Sequence, residues 1–323
     1  MSIEKNFVFD YWPTGSCDMQ CLFCYGAKVP DFTRQIKDPS GHRQAKMYIP
    51  TGEAQEVLGS DEARPELSLQ QSKAVLRLMK SMGGDTVTVA GGEPSLREDT
   101  PKILAYAKRE LGMSIYLSTN GTYTLRRYDE FKDNIDVLGL PLDGSSSEMN
   151  VKMGRRPYLF KNITAILTMF RNSLPEHIVK VGTIVSKKNI DDIANIGQFL
   201  FRSDDIMAPH VWRLYQFESI GRGAVNAADY VISADEFTEV CDETEARFPE
   251  VIIRPRSNEG NCNAYFFISP DGILQTVNSQ HHVSIVDLTQ ITEADLIQAI
   301  GNNSDIAERA NKNRNWLNPV YSK

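Results

Sequence analysis

Along residues 6–217 the spacing of apolar side chains switches back and forth between two rhythms. Runs rich in β-branched and aromatic residues read as buried strands, and runs with apolar residues every three or four positions read as amphipathic helices. Strands are predicted at Asn6–Tyr11, Thr86–Ala90, Ser114–Ser118, Ile135–Leu140, Ile178–Val185 and His210–Phe217. Helices are predicted between them at Ser68–Met82, Pro101–Leu111, Leu125–Asp133, Tyr158–Asn172 and Ile190–Arg202. The punctuation agrees: Pro13-Thr14-Gly15 closes the first strand, Gly83-Gly84 stops the first helix, and Asp191 and Asp192 put negative charge at a helix N-terminus.

Strand and helix in alternation imply right-handed crossovers around a parallel sheet. The expected fold is α/β, a partial (βα)6 TIM-type barrel over residues 1–220. Chemistry in such folds gathers at the C-terminal ends of the strands. After residue 230 the rhythm changes. A helix at Ala234–Ala246 leads to a short strand at Val251–Ile253, then a hairpin of Tyr265–Ile268 and Ile273–Val277 turning at Pro270-Asp271-Gly272. A last helix near Ala294–Ile300 precedes a polar tail. Residues 221–323 thus read as a C-terminal α+β extension that completes the substrate pocket. Residues 26–64 have no sustained period, and a loop that long is usually functional or mobile.

Composition narrows the class. With 323 residues, 41% hydrophobic and 24% charged, the chain can bury an ample core. No run of ~18 apolar residues suggests a membrane helix, and Met1–Phe9 lacks the apolar core of a secretory signal. A net charge of −7 with no basic run argues against bulk nucleic-acid binding. Of five cysteines, three fall between Cys17 and Cys24, while Cys241 and Cys262 stand alone. That distribution is not a disulfide framework; it points to a reducing, cytoplasmic setting in which clustered thiols bind metal or do redox chemistry.

Cys17, Cys21 and Cys24 form C-x3-C-x2-C in the loop after the first strand. Three thiolates cannot complete a tetrahedral structural zinc site. They can hold three irons of a four-iron cluster and leave the fourth for an external ligand. The competing readings are chance burial, or zinc with a distant histidine.

With an aromatic residue, Phe23, before the third cysteine, the motif resembles the signature of the radical S-adenosylmethionine (SAM) superfamily. Gly91-Gly92-Glu93-Pro94 resembles that family's GGEP motif, in which backbone and glutamate hold the methionine amino group of SAM. The chemistry agrees: glycines let the backbone approach closely, and a carboxylate suits an ammonium. Ser118-Thr119-Asn120-Gly121 resembles the family's turn near the ribose, and Leu140-Pro141-Leu142-Asp143-Gly144 stands at a later strand end that faces SAM or substrate. The resemblance spans residues 6–217. It implies one [4Fe-4S] cluster on the three cysteines and SAM against Phe23, Gly91, Gly92, Glu93, Ser118, Asn120 and Asp143. It further implies reductive cleavage of SAM to a 5′-deoxyadenosyl radical, hydrogen abstraction from a small-molecule substrate, and a low-potential electron donor such as a flavodoxin.

Within that family, Cys241 and Cys262 are too few and too separated for a second cluster, and each reads as structural. Residues 179–185, 211–217, 232–237, 256–258, 265–276 and 284–288 resemble in order and spacing the viperin-like branch, whose members dehydrate a nucleotide. Lys180 and Arg213 fall at matching basic positions; Gly182 and Val211 replace an amide and an arginine, and Tyr25-Gly26-Ala27 departs after the cysteines. Tyr215, Arg222 and Asn258 join Lys180 and Arg213 as candidate contacts to a nucleotide, nucleoside or sugar-like substrate. Trp212 and Tyr215 together read more readily as core packing than as a base-stacking platform. Arg155-Arg156 read as solvent-facing. The alternatives are a peptide-modifying or natural-product enzyme without auxiliary clusters and, from another class, a non-catalytic metal-binding module.

Overall fold

A computed structural model describes residues 7–26, 36–37, 43–46, 66–258, 266–278 and 281–296. Cys262, most of the 26–64 segment and the end of the last predicted helix lie outside the described residues. The six predicted strands form in place: β1 (Phe7–Thr14), then, after the small strands β2 (Ser16–Cys17), β3 (Ile36–Lys37) and β4 (Arg43–Lys46), β5 (Gly84–Gly91), β6 (Ser114–Ser118), β7 (Val137–Pro141), β8 (Ile178–Val185) and β9 (Val211–Gln216). The extension supplies β10 (Ile253–Arg256), β11 (Phe266–Ile268), β12 (Ile273–Asn278) and β13 (His281–Asp287).

All but the three small strands join one ten-stranded sheet in the order β10-β9-β8-β7-β6-β5-β1-β11-β12-β13. Its run from β10 to β11 is parallel throughout, and the sheet does not close on itself. The extension is built into both ends of the barrel sheet. β10 pairs with β9, while β11 pairs in parallel with β1, Phe9 opposite Phe266 and Tyr11 opposite Ile268.

The helices are α1 (Leu69–Ser81), α2 (Thr100–Ala105, continued by a π-helical turn to Glu110), α3 (Thr124–Phe131), α4 (Ser147–Lys152), α5 (Leu159–Asn172), α6 (Ile193–Arg202), α7 (Arg222–Val225) and α8 (Ala234–Arg247). α1 begins with a reciprocal capping box between Ser68 and Gln71, as α8 does between Ser233 and Glu236. Two short helices escaped the periodicity. α4 is polar, starts from the Ser146 cap and buries only Asn150; α7 is a single turn. β1 runs through Pro13 rather than stopping there, because its pairing with β5 shifts register between Tyr11 and Thr14. A proline without an N–H is tolerated at such an irregularity.

Strand alternation divides the core. Phe9, Tyr11, Val87, Val89, Leu138, Val181, Trp212 and Leu214 point outward and are buried beneath the helices, against residues such as Leu76, Met79, Ile166 and Phe170. The opposite faces carry polar residues into the barrel interior. Among the described residues no helix is long and apolar enough to cross a membrane.

Candidate active site

The cysteine loop is held by backbone at both ends. Cys17 lies in β2, paired with Ala45 of β4, and the Cys24 N–H donates to the Cys21 carbonyl at 3.2 Å. The segment after β9 folds back over the loop. The Gly223 N–H donates to the Cys24 carbonyl, Asn226 Nδ2 to the Leu22 carbonyl and Arg222 Nη1 to the Cys21 carbonyl, at 3.3, 2.9 and 3.2 Å. Burial, then the neighbouring Cys21 thiol, pushes the Cys17 and Cys24 thiols upward. Thiols in such a place keep their protons unless a metal cation takes them as thiolates. Among the described residues no three His, Cys, Asp or Glu side chains converge on a single ion. A zinc site needs its donors within about 2.3 Å of one point, whereas an iron–sulfur cluster spreads its thiolates over separate irons. The donor set fits a cluster.

Arg155 completes this wall. Its Nη1 donates to Cys21 Sγ at 3.1 Å, its Nε to Asp143 Oδ2 at 2.6 Å, and its guanidinium lies 4.7 Å from the centre of the Phe23 ring. Its side chain is only 13% exposed, and it borders the cavities described below. The solvent-facing reading of Arg155 is therefore corrected: a buried carboxylate and a sulfur draw the guanidinium inward. Burial opposes its charge, and Asp143 and Cys21 outweigh that cost and raise its pKa. Asp143 is fully buried behind it, accepting also from the Ile184 N–H at 2.8 Å. Asp143 thus reaches the cavity only through Arg155.

The glycine turn after β5 is locked to the same loop. Gly91 has φ +107°, and the Gly92 and Glu93 N–H groups donate to the Thr14 and Ser16 carbonyls at 3.0 and 2.7 Å. A Cβ on Gly92 would stand 2.1 Å from the Ser16 oxygen, so only glycine fits. Glu93 is fully buried and its carboxylate is saturated by the protein. It accepts from the Ser95 hydroxyl, the Ser95 N–H (3.0 Å), the Thr119 hydroxyl (2.7 Å) and the Asn120 N–H (2.6 Å). Glu93 therefore clamps the β5 turn to the β6 turn, and the backbone of Gly91 and Gly92 forms the cavity wall. Burial raises its pKa against these donors. Asn120 in turn donates to Asp18 Oδ1 at 2.7 Å and lies 3.9 Å from Cys17 Sγ.

Two adjoining cavities open from the cysteine loop. One, about 300 Å³, is bounded by the cysteines, Gly91-Gly92, Ser118–Asn120 and Gly139–Pro141. The other, about 420 Å³, extends from Cys21, Phe23 and Cys24 past Trp12 to Asp10, Tyr215–Glu218, Arg256 and Phe267. Volumes of this order suit small-molecule ligands.

Below the larger cavity the barrel is filled by charged and aromatic side chains. Lys180 is buried, with Nζ donating to the Tyr215 hydroxyl at 3.0 Å and 4.2 Å from the centre of the Tyr116 ring. The Arg213 guanidinium lies 5.5 Å from the Tyr215 ring centre, and Arg256 sits opposite Tyr215 in register. Gly139 and Gly182 leave the space that the Tyr116 and Tyr215 rings occupy. Burial opposes ionisation of Tyr215, but Lys180 and Arg213 outweigh it and bring its pKa down to about 8. Burial pushes Asp10 up to about 6 against a hydrogen bond to Thr88 and the charges of Arg256 and Lys180.

The structure brings Cys17, Cys21, Cys24, Phe23, Gly91, Gly92, Ser118, Asn120 and Tyr215 to the cavity walls. Lys180 and Arg213 sit one layer deeper. Arg222 serves the cysteine loop, and Asn258 ties β10 to β9 through Gln216 and the Phe217 carbonyl, at 3.0 and 2.8 Å. Trp212 is core, its Nε1 donating to Thr183 Oγ1 at 2.9 Å. Cys241 is buried in α8. Sequence reasoning missed Asp10, Arg155 and Arg256. Asp10 was legible in principle, as a charged residue within the predicted Asn6–Tyr11 strand, whereas Arg256 lies beyond the predicted Val251–Ile253 strand, which forms instead at Ile253–Arg256.

Residues 12–200 match the model of the radical SAM superfamily, more than half of the chain. The chain belongs to the radical SAM superfamily, enzymes that use a [4Fe-4S] cluster and SAM. It is 27% identical over 264 residues to an S-adenosylmethionine-dependent nucleotide dehydratase from Lacinutrix mariniflava, covering 79% of this chain and 47% of that protein. It is 34% identical over 227 residues to an Fe-coproporphyrin III synthase from Methanosarcina barkeri, covering 69% and 47%. The chain spans about half the length of these two relatives. The solved structure of native anSMEcpe with bound AdoMet shares the fold, with a TM-score of 0.59, 14% identity, and coverage of 92% of this chain and 82% of that one.

Proposed function

We propose that this radical SAM enzyme abstracts hydrogen from a small anionic substrate, a nucleotide in the sharpest form of the reading, held in the larger cavity while SAM occupies the smaller one. The observation that carries it is the floor of the larger cavity, where Arg256 and Tyr215 are exposed to the ligand and Lys180 and Arg213 lie directly behind. Arg256, Arg213 and Lys180, the last with a pKa lowered by burial, outnumber the carboxylates Asp10 and Glu218 at this cavity, so the floor favours negative charge, and in a low-dielectric interior such charges act strongly. The similarity to a nucleotide dehydratase supports the same reading.

When bound, a [4Fe-4S] cluster and SAM supply a 5′-deoxyadenosyl radical able to take a hydrogen atom from carbon. The chain's own residues do the rest. Cys17, Cys21 and Cys24 hold the cluster, and Arg155 donates to Cys21 sulfur and offsets thiolate charge. The Gly91-Gly92 backbone and the Ser118–Asn120 turn seat SAM, with Glu93 fixing one against the other. Trp12, Phe23 and Phe267 line the larger cavity and exclude water. Arg256 and Phe267 come from the extension, which supports a substrate pocket completed by residues 221–323. A cytoplasmic setting fits the free thiols.

The test is 5′-deoxyadenosine formation by anaerobically reconstituted enzyme with a panel of nucleotides, nucleosides, sugars and peptides. Nucleoside triphosphates, cytidine triphosphate first, are expected to stimulate it. Stimulation by peptides or neutral sugars alone contradicts this reading and favours the peptide-modifying alternative.

A further inference from the structure

The cavity floor holds a group that anion binding leaves unexplained. Tyr215 borders both cavities, so its phenol stands where the space beside the cysteine loop meets the space reaching Arg256. It is the one residue of β9 that is not buried. The neighbouring strand makes room for it: a Cβ built on Gly182 would stand 3.1 Å from Tyr215 Cε2. Lys180 lies between two tyrosine rings, with Nζ 4.2 Å from the centre of Tyr116 and 5.6 Å from that of Tyr215. Nζ donates to the Tyr215 hydroxyl at 3.0 Å. That bond uses a lone pair of the phenol oxygen and leaves the phenol's own hydrogen to be donated. Lys180 itself borders neither cavity. A floor built for anions alone would present the lysine, not a phenol in front of it.

The groups facing this hydroxyl come from every wall. β8 supplies Lys180, β9 Arg213 and the Glu218 beyond it, β10 Arg256, β6 Tyr116 and β1 Asp10. Burial opposes a phenolate here, but Lys180 and Arg213 outweigh it, and the hydroxyl titrates near 8. Near neutrality Tyr215 thus keeps its proton, yet yields it more readily than an ordinary phenol of pKa about 10. Few side chains that border both cavities carry a transferable proton. Cys21 and Cys24 hold the cluster, the Arg155 guanidinium keeps its proton, and the Ser118 alcohol is far too weak an acid. Tyr116 borders only the smaller cavity and is pushed well up by burial and by Tyr215; Asp10 and Glu218 border only the larger one.

We propose that Tyr215 is the acid of this site, passing its proton to an oxygen leaving group on the carbon next to the substrate radical, with Lys180 holding the phenolate left behind. The inference rests on the enzyme reading above, in its nucleotide form. Hydrogen abstraction leaves an unpaired electron on a ribose carbon. The neighbouring C–O bond then breaks with both electrons going to oxygen, and the Tyr215 proton makes the departing hydroxyl a water. The substrate is left as a radical cation and Tyr215 as a phenolate. One electron from a one-electron reductant, dithionite in the test, closes a carbon–carbon double bond, and the phenolate regains a proton from solvent. A proton donor in the transition state speeds such a departure by about 10²–10⁴.

The test uses reconstituted holoenzyme with dithionite, SAM and saturating ribose-deuterated cytidine triphosphate. Mass spectrometry counts product lacking one water against 5′-deoxyadenosine. Tyr215→Phe keeps the ring and removes only the O–H. It is expected to lower that ratio at least about tenfold, while deuterium still reaches 5′-deoxyadenosine. The wild-type rate of water loss should fall above about pH 8, and the variant's residual rate should lack that limb. A pH titration of phenolate absorbance, wild type minus variant, gives a reading independent of turnover. Tyr215→Phe should remove a tyrosine titrating near 8, and Lys180→Met should move that titration upward. An unchanged ratio in Tyr215→Phe overturns the acid role alone. So does equal loss of 5′-deoxyadenosine and product, which a binding or structural role would give, and so does a wild type that transfers deuterium without losing water. No deuterium in wild-type 5′-deoxyadenosine from any nucleotide overturns the substrate reading, and this inference with it.

Discussion

Arg155 carries more of the site than its exposed position in the sequence suggests. It joins the cysteine loop, through Cys21, to the β7–β8 region, through Asp143, and both partners are buried. Removing one member of a buried pair strands the other's charge, at a cost of about 3–5 kcal/mol. Arg155→Met is therefore expected to lower unfolding stability by about that much in urea denaturation of the apo protein, and Asp143→Asn Arg155→Met together by less than the sum of the singles. The deeper cluster makes a pH prediction. Asp10 titrates near 6, above its unfolded value of 3.8. Its contribution to stability is therefore greatest below 3.8 and is lost as pH rises to about 6. The same ionisation adds negative charge to the cavity floor. Nucleotide affinity should fall as pH rises through about 6, and Asp10→Asn should flatten that step relative to wild type in equilibrium binding. Tyr215 adds a second loss near 8. The cysteine triad was legible because its spacing is short and the chemistry is local. Arg155 was not, since its partners lie 12 and 134 positions away along the chain.

At the level of elements, the strands were legible and their punctuation less so. β6 and β8 fall where periodicity put them, since buried Ile115 and Leu117 in β6 and Val179, Val181 and Val185 in β8 recur at every second position on one face. α4 and α7 were invisible because each is too short for an apolar stripe: α4 starts from the Ser146 cap, and α7, with no side-chain cap, is held by contact with the cysteine loop. The turn after β5 shows how sequence and tertiary contact meet: Gly92 is required by a carbonyl from a different segment. Gly92→Ala should leave the far-UV circular dichroism intact but lower both iron per chain after reconstitution and SAM binding, because the added methyl must push the cysteine loop away. Full iron loading with unchanged SAM affinity would count against this coupling of turn and loop.

For the whole molecule, the expected partial barrel is present, and its open ends are occupied by the extension. Short predicted strands gave no hint that β10 joins β9 while β11 joins β1, because pairings between segments distant along the chain, more than two hundred residues apart for β1 and β11, leave no local trace. One continuous sheet makes residues 7–296 a single packed unit among the described residues. Apo protein should unfold in one transition, with near- and far-UV signals coincident; two separated transitions would show an independently folding extension. The same arrangement carries Arg256 and Phe267 to the cavity that begins at Cys21 and Cys24, so that in the function proposed above hydrogen abstraction and anion recognition share one space. The most direct measurement is deuterium transfer: holoenzyme, dithionite and ribose-deuterated cytidine triphosphate, with 5′-deoxyadenosine analysed by mass spectrometry. The account predicts deuterium in the 5′-deoxyadenosine, reduced by at least about tenfold in Arg256→Ala. Formation of 5′-deoxyadenosine free of deuterium with every ribose-labelled nucleotide triphosphate would contradict it.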